Sequence, residues 1–267
     1  MNYAAKWSAT DVNKVTILRH LKTYGHLLKW KDYKETCLEV GCGEGVMTKE
    51  ILLPYIEDHI AKLVAVDILD GMIQFAKERN AHEKIDYQIV DILNDQFITT
   101  MQSQFDHVFS LFVSHLIPDT RSFLTSFYKI LKSGGQIFVI TLVNSFFSQV
   151  FSELCKEKQL LNSKLESPFA DYTANPAQHI TELLEDIGFT VDLCEHEKRF
   201  VTTENFEGFV TALAEMYQNL EVIPSELLTV FYEEFLQKCR EKCINLGEQE
   251  KYDIPTEVLL FIATKPS

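Results

Sequence analysis

Between Leu38 and Gly45 the chain reads LEVGCGEG, where an apolar run ends in three glycines at alternate positions and passes at once into a helical pattern. Glycine there permits a tight strand-to-helix turn and lets a ligand lie against the main chain, while free amides at a helix start favour polar groups. Turns of this kind belong to sheets wound with helices, and the chain repeats the alternation. The apolar, β-branched runs TCLEVGC, KLVAVDI, DYQIVDI, FDHVFSLF and GQIFVITL are separated by helical patterns such as DGMIQFAKERN and TRSFLTSFYKIL. That order predicts an α/β fold built on a parallel, doubly wound sheet. In DGMIQFAKERN, Asp70 is the expected N-cap, and Met72, Phe75 and Ala76 fall at i, i+3 and i+4, a stripe expected to face the sheet.

Two later strand candidates, FTVDLCEHE and EVLLFIATK, are separated by a long, largely helical stretch. With no linker, repeat or low-complexity tract in view, the 267 residues are expected to form a single domain. It divides into an amino-terminal helical segment (1–35), a ligand-binding core (36–143) and two helical insertions (144–175 and 200–250). Phe146, Phe147, Val150, Phe151 and Leu154 make one helical stripe. Phe206, Phe209, Val210 and Leu213 make another, followed by Leu228, Phe231 and Phe235. Such stripes pack cores, and insertions placed after sheet strands can also roof a site at the strands' carboxyl ends, where open α/β sheets bind ligands. Val15, Leu18, Leu21 and Leu28 give the first segment helical spacing as well.

Charge narrows the partners. A formal net charge of −14 and a pI near 5.0 argue against nucleic acid and against an anionic membrane surface. The first residues lack a secretory pattern and no apolar stretch approaches the length of about 18 residues that a bilayer requires, so a cytoplasmic protein is expected. Six scattered cysteines read as reduced thiols, and Cys239 and Cys243, four apart, lack the companions of a metal site. Oligomeric state is not legible.

Two familiar glycine motifs fail at this turn. A dinucleotide fingerprint wants glycine where Val46 stands, and a phosphate-binding P-loop wants a Gly-Lys-Ser/Thr ending. Acidic residues add to the picture. Asp67 ends the run AVDI, where a carboxylate can accept from both hydroxyls of a ribose. Asp91 ends IVDI, where it can accept from an adenine amino group while the amide of Ile92 donates to the ring. A buried, unpaired carboxylate is costly, so two at strand ends imply waiting donors; alternatively, each caps the helix that follows.

LEVGCGEG, AVDI, IVDI, FDHVFSLF and LKSGGQIFVI, in this order, resemble the successive motifs of the class I S-adenosylmethionine-dependent methyltransferases, over about Thr36 to Leu142. The resemblance implies a Rossmann-like seven-stranded sheet of order 3-2-1-4-5-7-6 with the last strand antiparallel. It implies S-adenosyl-L-methionine as cofactor, with Glu39, Gly41, Cys42 and Gly43 at its methionine part. Asp67, with Ile68 and Met72 nearby, would meet the adenosine ribose, Asp91 and Ile92 the adenine, and Ser110 and Leu111 would lie near the sulfonium.

More closely, the chain resembles the arthropod juvenile hormone acid methyltransferases, which form methyl esters of farnesoic acid and related sesquiterpenoid acids. That likeness includes the first helix ending LLKW at Trp30, the run QFDHVFSLFVSHLI around His115, and the PFADY region at Pro168. It departs at Asn13, where the family typically carries glutamine, and at Leu116, where it typically carries tryptophan. The implied substrate is a small apolar carboxylic acid, oriented by His115 and Asn13. A carboxylate is already ionised at neutral pH and needs no general base. The alternatives are a methyltransferase with another small-molecule acceptor and a binder without turnover.

Overall fold

The computed structural model describes residues 11–158, 174–216, 223–224, 227–247 and 250–267, so the PFADY region and the side chain of Leu213 lie outside them. In chain order the elements are α1 (Asp11–Tyr24), β1 (Glu35–Val40), α2 (46–56), β2 (Ile60–Asp67), α3 (Asp70–Arg79) and β3 (Ile85–Ile89). Then follow α4 (Asp95–Thr100), β4 (Phe105–Leu111), α5 (Thr120–Ile130), β5 (Leu131–Val143) and α6 (Phe146–Glu157). The chain closes with α7 (Pro176–Ile187), β6 (Thr190–Thr203), α8 (Phe206–Met216), α9 (Leu228–Lys242), β7 (Ile244–Asn245) and β8 (Tyr252–Thr264).

The sheet order is β3-β2-β1-β4-β5-β8-β6, with the two-residue β7 beside β8. Strands β1 to β5 are parallel neighbours and β8 runs antiparallel to both β5 and β6. This is the expected order, with β8 in the place of the seventh strand. No helix among the described residues is long and apolar enough to cross a membrane. All six cysteines are unpaired.

Four apolar clusters hold the molecule. One packs α5 and α7 on one sheet face through Phe123, Phe127, Ile180 and Leu184. Another packs α1 and α2 on the opposite face through Ile17, Leu21 and Leu52. A third joins α6, α8 and α9 to the start of β8. A small fourth cluster of Cys42, Ala65, Ile73, Ala76 and Tyr87 lies beneath the glycine turn.

Several local expectations shift. On α1 the buried stripe is Ile17 and Leu21, whereas Val15 and Leu18 are exposed, because α1 is clamped between the sheet face and β6. On α3 the buried residues are Ile73 and Ala76, with Met72 and Phe75 only half-buried. Asp70 lies inside the helix, which Leu69 precedes without a side-chain cap, and its carboxylate accepts from Gln74 instead. In the third cluster Phe147, Val150, Phe151, Leu154, Phe206 and Val210 are buried as the stripes require, but Leu228 is exposed at the start of α9.

Candidate active site

The three glycines are there for different reasons. All have positive φ, at 78°, 54° and 80° for Gly41, Gly43 and Gly45. A Cβ on Gly41 would stand 2.1 Å from Val113 Cγ2, and one on Gly45 would stand 2.6 Å from the Tyr87 hydroxyl oxygen and 3.0 Å from Ala76 Cβ. At Gly43 it would meet nothing within 4 Å. Thus the protein itself fills the space at the outer two positions, and Gly43 alone opens onto free space where a ligand can touch the main chain.

Nor are the turn's amides waiting for an anion. Gly41 N (2.7 Å) and Cys42 N (3.0 Å) donate to the Val66 carbonyl, Gly45 N donates to the Cys42 carbonyl, and Gly43 N donates to Asp67 Oδ2 at 2.9 Å. A phosphate cradle needs such amides free, so the expectation of free amides for a polar ligand does not hold at these four positions. The charge beside the turn has the wrong sign for phosphate as well. Glu39, the next-to-last residue of β1, is 2 % exposed, and its Oε2 has no hydrogen-bond partner among the described residues. Thr48 Oγ1 stands close enough to interact with the Glu39 carboxyl, though without a well-formed hydrogen bond. Burial pushes the Glu39 carboxyl up to about 7, eased by Thr48 and reinforced by the charge of Asp67. An orphan buried carboxylate asks for a cation, and the α-ammonium of an amino acid is one.

Asp67, the last residue of β2, is half-buried. Oδ2 accepts from Gly43 N and Oδ1 from Leu69 N, also at 2.9 Å. Burial raises its carboxyl despite those bonds. Each oxygen keeps a free lone pair, enough to accept from a diol. Next to it Ile68 is 59 % exposed, an apolar surface at the mouth of the site. Asp91 departs from expectation. Strand β3 ends at Ile89, so Asp91 sits in the following loop, exposed, with Oδ1 accepting from Leu93 N at 2.8 Å. The cost of burial therefore gives no argument for its role. Neither aspartate caps a helix, since α4 takes its cap from Asn94, which accepts from the amides of Gln96 and Phe97. Ile92 is buried in the sheet cluster.

Cys42 points into the small cluster beneath the turn, which leaves only its main chain for a ligand, and burial raises its thiol. Ser110, opposite Val40 on β4, is fully buried with an unpartnered hydroxyl. Leu111 closes β4, followed by Phe112 at a φ of 63°, a left-handed conformation that is uncommon away from glycine and concentrates near functional sites. The next residues form a short helical turn, Ser114–Leu116, that buries His115. His115 Nδ1 lies 3.2 Å from Thr141 Oγ1 and accepts from Leu142 N at 3.5 Å, and burial drives its pKa down to about 3. It is neutral across the physiological range.

Asn13 occupies the first turn of α1, inside the helix rather than at its cap. Its neighbour Lys14 pairs with Glu50 of α2 at 3.1 Å. His115 is tied to β5 and Asn13 to α1, so the two candidate acceptor residues come from separate elements.

Several supports escaped the sequence. Asn80 Nδ2 donates to the Glu44 carbonyl at 2.8 Å, and Tyr87, whose phenol burial raises, donates to the carbonyls of Asn80 and Gly45 at 3.2 and 3.4 Å. Glu44, inside the turn, is buried with Oε2 unpartnered, and burial pushes its carboxyl up to about 7. In α2, Thr48–Leu52 is a π-helical segment, a feature that recurs at functional sites. Alternation along β3 is the signal that would have placed Tyr87 inward, but its reach to the turn depends on the tertiary fold.

Residues 38–139, which hold the glycine turn, Glu39, Asp67, Asp91 and His115, match the family model described as "Methyltransferase domain". Over nearly its whole length the chain is similar to two curated proteins. It is 23% identical to the juvenile hormone acid O-methyltransferase of Bombyx mori (96% of this chain, 95% of that one). It is likewise 23% identical to the one of Drosophila melanogaster (99% and 93%). Among solved structures it resembles the YcgJ protein of a Bacillus species (TM-score 0.60, 12% identity, 93% of this chain and 99% of that one). It also resembles phosphoethanolamine N-methyltransferase 2 of Haemonchus contortus, solved with S-adenosylhomocysteine (TM-score 0.53, 19% identity, 94% and 52%). An unpartnered buried carboxylate beside the turn is compatible with a cationic cofactor, and the match to a methyltransferase domain together with the similarity to methyltransferases along nearly the whole chain makes this protein an S-adenosylmethionine-dependent methyltransferase.

Proposed function

We propose that the protein methylates the carboxylate of a small apolar acid such as farnesoic acid or juvenile hormone acid. The observation that carries this reading is the state of His115. A phenol or amine acceptor needs a base to take its proton, and His115, held at about 3, is a poor one near neutral pH. A carboxylic acid, with a pKa of about 4 to 5, arrives already ionised. The juvenile hormone acid O-methyltransferases of Bombyx mori and Drosophila melanogaster, similar across the whole chain, support the same class of acceptor.

Bound at the carboxyl ends of the strands, S-adenosylmethionine supplies a methyl group on a positively charged sulfur. Glu39 would hold its ammonium group, the main chain of Gly41, Cys42 and Gly43 would border the methionine part, and Asp67 would accept from the ribose. Asp91 and the amide of Ile92 would meet the adenine, with Ile68 and Met72 offering apolar surface. Ser110 and Leu111 would wall the sulfonium end. On the acceptor side, His115 and Asn13 would orient the carboxylate by hydrogen bonds, and α6, α8 and α9 would roof the apolar tail. The whole chain works as one domain in this scheme, in the cytoplasm. Positioning a carboxylate in a dry pocket contributes several kcal/mol of the barrier without proton transfer.

The experiment is a screen of terpenoid, fatty and aromatic acids with a labelled methyl donor. Label is expected in base-labile methyl esters of long apolar acids and not in short dicarboxylates. If no acid accepts label, the esterification reading fails.

A further inference from the structure

Away from the glycine turn, α1 and β6 share a cluster of charges that the cofactor site leaves unused. Arg19 Nη2 donates to Glu197 Oε2, and Arg199 Nη2 donates to Thr16 Oγ1. Thr16 is 1% exposed. His20 Nδ1 lies 2.8 Å from the Thr16 carbonyl, which only accepts, so that nitrogen carries the proton. His20 Nε2, 3.3 Å from Arg19 Nη2, is then the accepting nitrogen, and burial lowers the His20 pKa against the opposing pull of Glu197, 3.4 Å away. Lower on the same face Tyr24 donates to Glu195.

Two arginines face two glutamates here, and Glu195 is taken by the Tyr24 hydroxyl. Arg19 and Glu197 answer each other, while Arg199 has a neutral hydroxyl for a partner and no carboxylate within 4 Å among the described residues. Its Nε, like that of Arg19, is buried without a hydrogen-bond partner. In a chain of net charge −14, a half-buried guanidinium that pairs directly with no carboxylate among the described residues and feels Glu197 only at longer range stands out. Guanidinium is a planar fork suited to a carboxylate, and leaving one half-buried and unmatched costs free energy unless a ligand completes it.

Its location ties it to the acceptor side. Arg199 pairs in register with Thr256 of β8, next to Glu257, whose partner on β5 is Val143, the last residue of that strand. Arg199 therefore stands level with the carboxyl end of the sheet, on the face that α1 covers. Thr16, which it touches, lies three residues from Asn13 and on the same side of α1.

We propose that Arg199 is the residue that recognises the negative charge of the methyl acceptor, drawing a carboxylate toward the first turn of α1, with Arg19 reinforcing its field and Glu197 tempering it. This rests on the acid-methylating reading above and adds to it a selectivity for ionised acceptors.

The test uses the full chain with farnesoic acid as acceptor, farnesol as a neutral inhibitor of matching length, and calorimetry with S-adenosylmethionine as the check on folding. Arg199→Gln is expected to raise KM for the acid about tenfold, leaving cofactor affinity and inhibition by farnesol within about twofold of the parent. Glu197→Gln, which strips the cluster of its counter-charge, is expected to lower that KM several-fold, a direction that loss of structure does not produce. Equal KM values for the parent and Arg199→Gln would overturn the proposal, as would equal weakening of acid and alcohol. Should Arg199→Gln lose cofactor binding, Glu197→Gln decides: a lowered KM upholds the role and an unchanged or raised one removes it. Absence of acid turnover in the parent is a separate result, since it sinks the esterification reading first.

Discussion

Glu39 carries opposite costs in the empty and the loaded protein, and Glu39→Gln exposes both. Burial raises its carboxyl from 4.5 to about 7 in the ligand-free fold. A folded-state pKa above the unfolded value means that the folded chain holds the proton more tightly. This stabilisation is full below pH 4.5 or so and disappears as pH rises through about 7. A shift of this size corresponds to about 3 kcal/mol. The ligand-free parent should therefore lose about 3 kcal/mol relative to Glu39→Gln between pH 5 and pH 8, a widening of the melting-temperature gap by about 6 to 10 °C for a chain this long. Glu44 titrates near the same pH but is common to both proteins, so it cancels in the difference. Cofactor reverses the sign, because an ammonium partner favours the ionised carboxylate. Parent affinity for S-adenosylmethionine should rise about tenfold from pH 6 to pH 8 as the ionised fraction grows, and Glu39→Gln should bind at least about tenfold more weakly at pH 8. Differential scanning fluorimetry across pH and titration calorimetry read the two halves. A melting-temperature gap that stays constant from pH 5 to 8, or unchanged affinity in the variant, would refute the assignment of Glu39 as a buried carboxylate awaiting a cation.

The glycines give a second contrast. Gly41→Ala forces a Cβ against Val113 and should lower stability by several kcal/mol, whereas Gly43→Ala meets only backbone strain of about 1 kcal/mol but would intrude on the space proposed for the cofactor. Melting temperature should fall mainly in the first and cofactor affinity mainly in the second. For His115, its pKa of about 3 predicts an acid-methylation rate with no His115 titration between pH 5 and 9, and His115→Ala should lose activity by a pH-independent factor. Recovery of the alanine variant at high pH, read from a pH–rate profile, would instead make His115 the base of a proton-losing acceptor.

Strand order followed from the resemblance, whereas the alternation of strands and helices was legible in the apolar runs themselves, the first leading into the glycine turn and the second ending in an aspartate. Asp67 and Gly43 illustrate this, and the structure joins them by a hydrogen bond that the two motifs do not reveal. The face of a helix was harder to read. Val15 and Leu18 have the spacing of a buried stripe yet are exposed, since α1 lies against both the sheet face and β6 and buries Ile17 and Leu21 instead. Asp91 lies two residues past the end of its strand, because IVDI continues the apolar pattern beyond the last paired residue, Ile89. What sequence withholds altogether are partners that meet only in the folded chain. Tyr87 reaches the turn from 42 residues away and Arg199 reaches Thr16 from 183. No periodicity encodes such pairs.

The two ends of the site are built on different cores, and this separates what can change from what cannot. Glu39 and Asp67 stand on the sheet, and the turn beside them is braced from below by Tyr87 and Asn80 and packed at Gly41 and Gly45 against Val113, Tyr87 and Ala76. Few substitutions fit there without moving main chain. The cluster of α6, α8 and α9 is another matter, for among the described residues it shares no buried residue with either sheet-face cluster and meets the sheet through Tyr252 and Ile254 at the start of β8. Side chains in such a unit can be exchanged without disturbing the strands that carry Glu39 and Asp67. Departures from the family pattern at Asn13 and Leu116 also fall outside the braced turn, one on α1 and the other on the short turn after β4. A chain of this construction can hold a methyl donor fixed while its acceptor diverges, which is the physical reason that a methyltransferase fold is readable from sequence and the identity of the acceptor is not.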